Sequence, residues 1–196
     1  MRCELIISLF LLSLAYGAPP KSQNGIIAHF LDYAEALRAV EIHNGLLLST
    51  NFVRDLANSV PVEHRGPGTA ALQEYVSRSK KILKQGTSDE KAGQGYALQT
   101  LFENLKDSLD PTSKEAEAIL PGFLGILALA SEFAEEDEKV HTRFGEGARQ
   151  MLPHLTPNTL ARESELVHLM DTYIKSEDLQ EHENLYKKIL AFRNRY

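Results

Sequence analysis

Hydrophobic positions recur three and four residues apart along most of the chain, and strict apolar–polar alternation is absent. That period gathers apolar side chains on one face of an α-helix and gives no signal for a strand. Ile27, Phe30, Ala34 and Leu37 share the face of a first helix. Leu48, Phe52, Val53, Leu56 and Val60 continue the stripe beyond an expected bend at Asn44-Gly45. The stretch Pro61–Gly68 then ends it, because its prolines and glycines cannot continue a helix. Leu72, Tyr75, Val76, Ile82 and Leu83 predict a second helix, closed by Lys80, Lys81 and Lys84 and by Gly86.

Thr87 and Glu90 have the spacing of a capping box, in which two side chains satisfy the free amides of a helix start. The third helix carries Leu98, Leu101, Phe102, Leu105 and Leu109. Asp110-Pro111 and Thr156-Pro157 both read as a helix cap followed by a first-turn proline, with Thr112 and Glu115 as an alternative box at the first. The fourth helix is expected to run from there to about Gln150, kinked at Pro121. Leu166, Val167, Met170, Tyr173 and Ile174, then Leu185, Tyr186, Ile189 and Leu190, mark the last region, divided at Ser176-Glu177-Asp178. The expectation is an all-α protein: one domain over residues 26–196, an irregular bundle of about five or six helices around a central apolar helix.

That central helix is the segment Ile119–Ala130, which carries no charge and is apolar on every face. A helix apolar all round needs cover, so it is expected inside the bundle, where Gly122, Gly125 and Ala128 let a neighbour approach. It could also line an apolar cavity between the surrounding helices. Insertion into a membrane ranks last, because the run is shorter than the ~20 residues of a spanning helix.

The N-terminus changes the setting. Arg2, the apolar run Leu5–Leu14 and the small residues Ala15 and Gly17 read as a secretory signal peptide over residues 1–17. Residues 18–25 then form a loose mature N-terminus. The cut removes Cys3, the sole cysteine, so the mature chain is held by its core and has no thiol chemistry. No Asn-x-Ser/Thr acceptor for glycosylation is present. No membrane-spanning segment is expected once the signal is gone.

Composition narrows the partners. The chain of 196 residues is 43% hydrophobic and 24% charged, with a formal net charge of −6, so it has no surplus of cations for nucleic-acid phosphates. The acidic run Glu132–Glu138 reads as a solvated helix face. Glu138-x-x-His141 and Glu165-x-x-His168 have the spacing used in di-iron bundles, but Val140 and Val167 claim the inward face beside them, and no metal site is assigned. Gly93-x-Gly95 and Gly145-x-Gly147 lack the strand and the Lys-Ser/Thr of a nucleotide loop, and Gly-x-Ser-x-Gly does not occur. Nothing therefore points to a catalytic residue or a cofactor. The pattern favours a secreted helical binder of apolar small molecules such as fatty acids, with Phe102, Leu105, Phe123, Ile126 and Leu127 as cavity-lining residues. The alternative is a secreted helical interaction module (a signal, effector or inhibitor) that meets a protein partner and has no small ligand.

Overall fold

The computed structural model describes residues 22–196, and the signal-peptide reading of residues 1–17 lies outside them. The described residues form helices and connecting turns without a strand. In chain order the α-helices are α1 (Gln23–Asn58), α2 (Pro67–Gln85), α3 (Ser88–Ser108), α4 (Lys114–Ile119), α5 (Ile126–Met151), α6 (Pro157–Arg162), α7 (Ser164–Lys175) and α8 (Leu179–Ala191). Helix α1 begins inside the segment expected to be loose, and it runs unbroken through Asn44-Gly45. The predicted fourth helix is instead α4, a 3-10 stretch over Leu120–Gly125, and α5. The interruption falls at Pro121, which lacks an amide hydrogen and opens the tighter helix.

Of the helix starts read from the sequence, those at Thr87 and Thr156 are capped as their spacing requires, and the one at Asp110 is not. At the start of α3 both capping-box bonds form: Glu90 N donates to Thr87 Oγ1 at 3.2 Å, and Thr87 N donates to Glu90 Oε2 at 2.7 Å. Thr156 caps α6, accepting from Thr159 N at 3.3 Å. Asp110, in contrast, does not cap a helix. Its carboxylate accepts from Thr112 N at 2.9 Å and Thr112 Oγ1 at 2.7 Å, closing a turn, and Ser113 becomes the cap of α4. Glu115 takes no part in a box with Thr112, because it is drawn to another helix.

The described chain divides into two compact units. The terminal unit comprises residues 22–40 and Asp137–Tyr196; the middle unit is Glu41–Glu136. Helices α1 and α5 each contribute to both. In the terminal unit the first part of α1 packs with the later part of α5, α7 and α8 around Phe30, Tyr33, Phe144, Tyr173 and Tyr186. Phe144 is wholly buried and meets Phe30, Tyr173 and Tyr186 at centroid distances of 5.2, 4.6 and 5.4 Å. Tyr186 donates its hydroxyl to the Ala34 carbonyl at 2.8 Å, which ties α8 to α1. Burial pushes the Tyr33 phenol up to about 12, so it stays a donor to the Arg143 carbonyl.

A histidine closes the same unit. His182 is 5% exposed, and its Nδ1 lies 2.9 Å from Asp137 Oδ2 while its Nε2 lies 2.9 Å from the Ser176 carbonyl. Both ring nitrogens face oxygen acceptors, and only the imidazolium can donate from both. The ring stacks on His141 at 4.6 Å and meets Tyr173 at 5.0 Å. Burial opposes the charge, but the Ser176 carbonyl, Asp137 and Glu138 outweigh it and raise the pKa above its ordinary value. A raised folded value stabilises fully below pH 6.5 and loses that contribution as pH rises through the raised pKa. Stability measured by thermal melts is therefore expected to fall as pH climbs above 6.5. His182→Gln is expected to remove most of that slope and to cost about 1.5–3 kcal/mol on the acid side. An unchanged slope in the variant would assign the pH dependence elsewhere.

The middle unit is built on the rest of α1, on α2, α3 and α4, and on the start of α5, around Val53, Leu56, Leu72, Leu101, Leu105, Ile119 and Leu129. Glu115 of α4 fastens it. Its carboxylate, 6% exposed, accepts from Gly66 N at 2.7 Å, Thr69 N at 2.6 Å, Thr69 Oγ1 at 2.6 Å and, more weakly, Gly68 N at 3.4 Å. These are the free amides at the start of α2, where an anion is favoured. Burial raises the carboxyl pKa, but the bonds from Thr69, Gly66 and Gly68 together outweigh it and hold the group below its ordinary value. The approach depends on two absent side chains. A Cβ at Gly66 would lie 2.6 Å from Glu115 Oε2, and one at Gly68 would lie 2.7 Å from Leu109 Cδ2.

Candidate functional site

The apolar segment that drew attention in the sequence belongs to the middle unit. Its cover is one-sided. Ile119 and Leu129 are buried, and Phe123 and Ile126 are half-buried. Gly122 faces Leu56 of α1, and a Cβ at Gly125 would lie 2.8 Å from Phe52 Cε2, so these glycines do let α1 approach. The other side is open: Leu120, Leu124 and Leu127 are 49%, 77% and 78% exposed. The expectation of a helix enclosed on every face is corrected here. The neighbours of the segment pack against it from one direction, and the 3-10 stretch turns Leu120 and Leu124 away from them.

Beside this segment lies a cavity of about 310 Å³ lined by Phe102, Lys106, Leu109, Pro111, Ala116, Leu120 and Phe123. Three pieces of chain build it. Helix α3 supplies Phe102 and Lys106, one turn apart. The Asp110 turn brings in Leu109 and Pro111. Helix α4 and the 3-10 stretch complete it with Ala116, Leu120 and Phe123. The aromatic wall is fixed by edge-to-face packing: Phe102 meets Phe123 at 5.4 Å and 84°, and Phe52 at 6.0 Å and 85°. Lys106 is the one charged residue in the lining and is itself exposed.

No family model, no curated protein and no solved structure matches this chain. The cavity has to be read from its own chemistry.

Of the residues singled out in the sequence, Phe102 and Phe123 line the cavity. Leu105 sits one turn on in α3 but turns into the core, where it is 1% exposed. Ile126 is half-buried outside the lining, and Leu127 faces away, exposed. Sequence reasoning missed Lys106, Leu109, Pro111, Ala116 and Leu120. The i, i+4 spacing of Phe102 and Lys106 could have suggested the first of them. The others are brought in by a turn and a change of helix type, which leave no periodic trace.

The candidate metal motifs are occupied by other partners. His141 Nε2 faces the Tyr173 carbonyl at 2.9 Å, and its ring covers His182. His168 is exposed on α7, and Glu165 lies 3.7 Å from Arg195. Among the described residues no group of three or more histidine, cysteine or carboxylate side chains is placed to hold a metal ion.

Proposed function

We propose that this protein is a secreted carrier of apolar small molecules, and that its ligand is a single-chain amphiphile with an anionic head, such as a fatty acid. The observation that carries the reading is an apolar cavity with one cation, Lys106, in its lining. An alkyl chain would lie against Phe102, Leu109, Pro111, Ala116, Leu120 and Phe123, and the carboxylate would meet the Lys106 ammonium at the edge. A volume of about 310 Å³ is at the lower end of the range for ligand sites, which suits one chain rather than two. Secretion rests on the signal peptide read in residues 1–17.

The chain contains no tryptophan, so Phe123→Trp places a single indole in the cavity wall. Titration with oleate is expected to shift its emission and to saturate at one ligand per chain. Removing the cation by Lys106→Gln is expected to weaken oleate by up to about fivefold, the worth of an exposed charge pair, while leaving oleyl alcohol unaffected. A spectrum that does not respond to oleate, together with a bare protein mass by native mass spectrometry after incubation, would end the carrier reading. The interaction-module alternative would then stand.

A further inference from the structure

We infer that the exposed side of the segment Leu120–Ser131 is a docking surface for a lipid bilayer of zwitterionic headgroups, and that the protein lies on such a surface rather than spanning it. The side chains concerned are Leu120, Leu124 and Leu127, together with exposed Pro121, Ala128 and Ala130.

Several observations choose lipid over the other possible occupants. First, no charged residue stands between Glu117 and Glu132, so hydrocarbon can cover the whole stretch without stripping water from an ion. Second, the helical run Lys114–His154 contains an 18-residue window of mean hydropathy 1.5, apolar and long enough to cross a membrane, and only 17% of that window is buried. The charge-free run itself spans only residues 118–131, so an 18-residue window over it also takes in Glu117 or Glu132 at its ends. Third, the exposed residues are leucine, alanine and proline. They lack the tryptophan, tyrosine and arginine that anchor protein interfaces, where leucine is under-represented.

The opposite side decides between lying and spanning. Ile119, Phe123 and Leu129 belong to the packed interior of the middle unit, so lipid cannot surround the segment without unfolding that interior. A helix apolar on its free side and committed to protein on the other rests at the boundary of headgroups and acyl chains.

Charge decides the kind of bilayer. The chain carries a net −6, and Glu132 and Glu135 stand exposed directly after the apolar stretch. No cluster of lysines accompanies it, so the attraction to anionic lipid used by polybasic segments is missing. Anionic headgroups would repel this face, while neutral ones would not.

Leu120 belongs both to the open face and to the cavity lining. If the cavity holds a fatty acid, as proposed above, docking brings its edge to the source of that ligand. The docking surface itself does not depend on the cavity being filled.

The test is flotation of the full mature chain with phosphatidylcholine vesicles, and again with vesicles containing one-third phosphatidylserine. Binding to the neutral vesicles is expected, with weaker binding to the anionic ones that recovers in high salt. The double variant L124E/L127E is expected to lower partitioning by about 100-fold, since each leucine loses its transfer into hydrocarbon. The neutral pair L124Q/L127Q should behave alike, and both should keep the wild-type far-ultraviolet spectrum, because the side chains replaced are exposed. Oleate titration of the L124Q/L127Q variant separates the two proposals: it should bind oleate in solution whether or not it binds vesicles. Absence of wild-type flotation, or equal flotation of wild type and both variants, would overturn the docking surface. So would a wild-type dimer in light scattering that the variants abolish, since a second copy would then cover this face.

Discussion

Replacing Glu115 by Ala is expected to lower the unfolding free energy by about 3 kcal/mol at neutral pH, more than most single substitutions. The reason lies in what remains behind. Thr69 N and Thr69 Oγ1, both bonded to Glu115 Oε1 at 2.6 Å, and Gly66 N at 2.7 Å lose their acceptor together. Thr69 is 1% exposed, so water replaces the carboxylate poorly. The start of α2 also loses the anion that complements its free amides. Glu115→Gln keeps an oxygen acceptor without the charge and is expected to cost roughly half as much. The pH dependence has a fixed sign. A carboxyl held below its ordinary value stabilises fully above pH 4.5 and loses that contribution as pH falls through the lowered pKa. Urea unfolding of wild type and Glu115→Ala should therefore differ most at neutral pH and converge in acid. Parallel curves at all pH values would show that the carboxylate charge contributes nothing.

Phe144→Ala is expected to cost about 3–5 kcal/mol, the range for removing a buried aromatic ring from a core. Phe144 is fully buried at the meeting point of α1, α5, α7 and α8. Three rings use it as a common neighbour: Tyr173 and Phe30 edge-on, and Tyr186 tilted. None can fill the void alone without giving up its own contacts, and Tyr186 is further held by its bond to the Ala34 carbonyl. Phe144→Leu, which keeps most of the volume, should cost less than about 2 kcal/mol. Amide exchange gives a local readout: protection in α8 should drop more than protection in α2 or α3. A loss below about 1 kcal/mol for the alanine variant would mean that the cluster can collapse around the gap.

The two substitutions act on different units and different physics. Glu115 holds the middle unit through charge and hydrogen bonds, and Phe144 holds the terminal unit through packed volume. Their effects on total stability should add, because they share no partner.

The all-α class was legible along the described residues, and so were many helix ends. Thr87 with Glu90 and Thr156 with Pro157 act as caps because the bonds involved span three residues, a distance that the sequence specifies directly. Ile27, Phe30, Ala34 and Leu37 are all buried, as a 3.6-residue period requires. The division of the last region at Ser176–Asp178 was equally visible.

Other features depended on residues far apart in the chain. Glu115 has the spacing of a local cap with Thr112 but meets amides 46 to 49 positions earlier, because the fold brings the start of α2 within reach. Nothing in the local sequence sets His182 apart; Asp137, 45 positions away, and the Ser176 carbonyl close on both its nitrogens. The described residues fall into two compact units, with α1 and α5 contributing residues to both. Hydrophobic periodicity says which face of a helix is buried, never against which helix. The cavity follows the same rule. Phe102 and Phe123 were legible as apolar helix residues, while Lys106, Leu109 and Pro111 joined them only through the Asp110 turn. The sequence also marked Ile119–Ala130 as apolar on every side, and it could not say that cover would come from one side only. Local spacing determined the helices and their caps; the tertiary structure decided which polar groups meet, where a cavity remains and which leucines stay in water, because these are set by contacts between segments that no short-range period records.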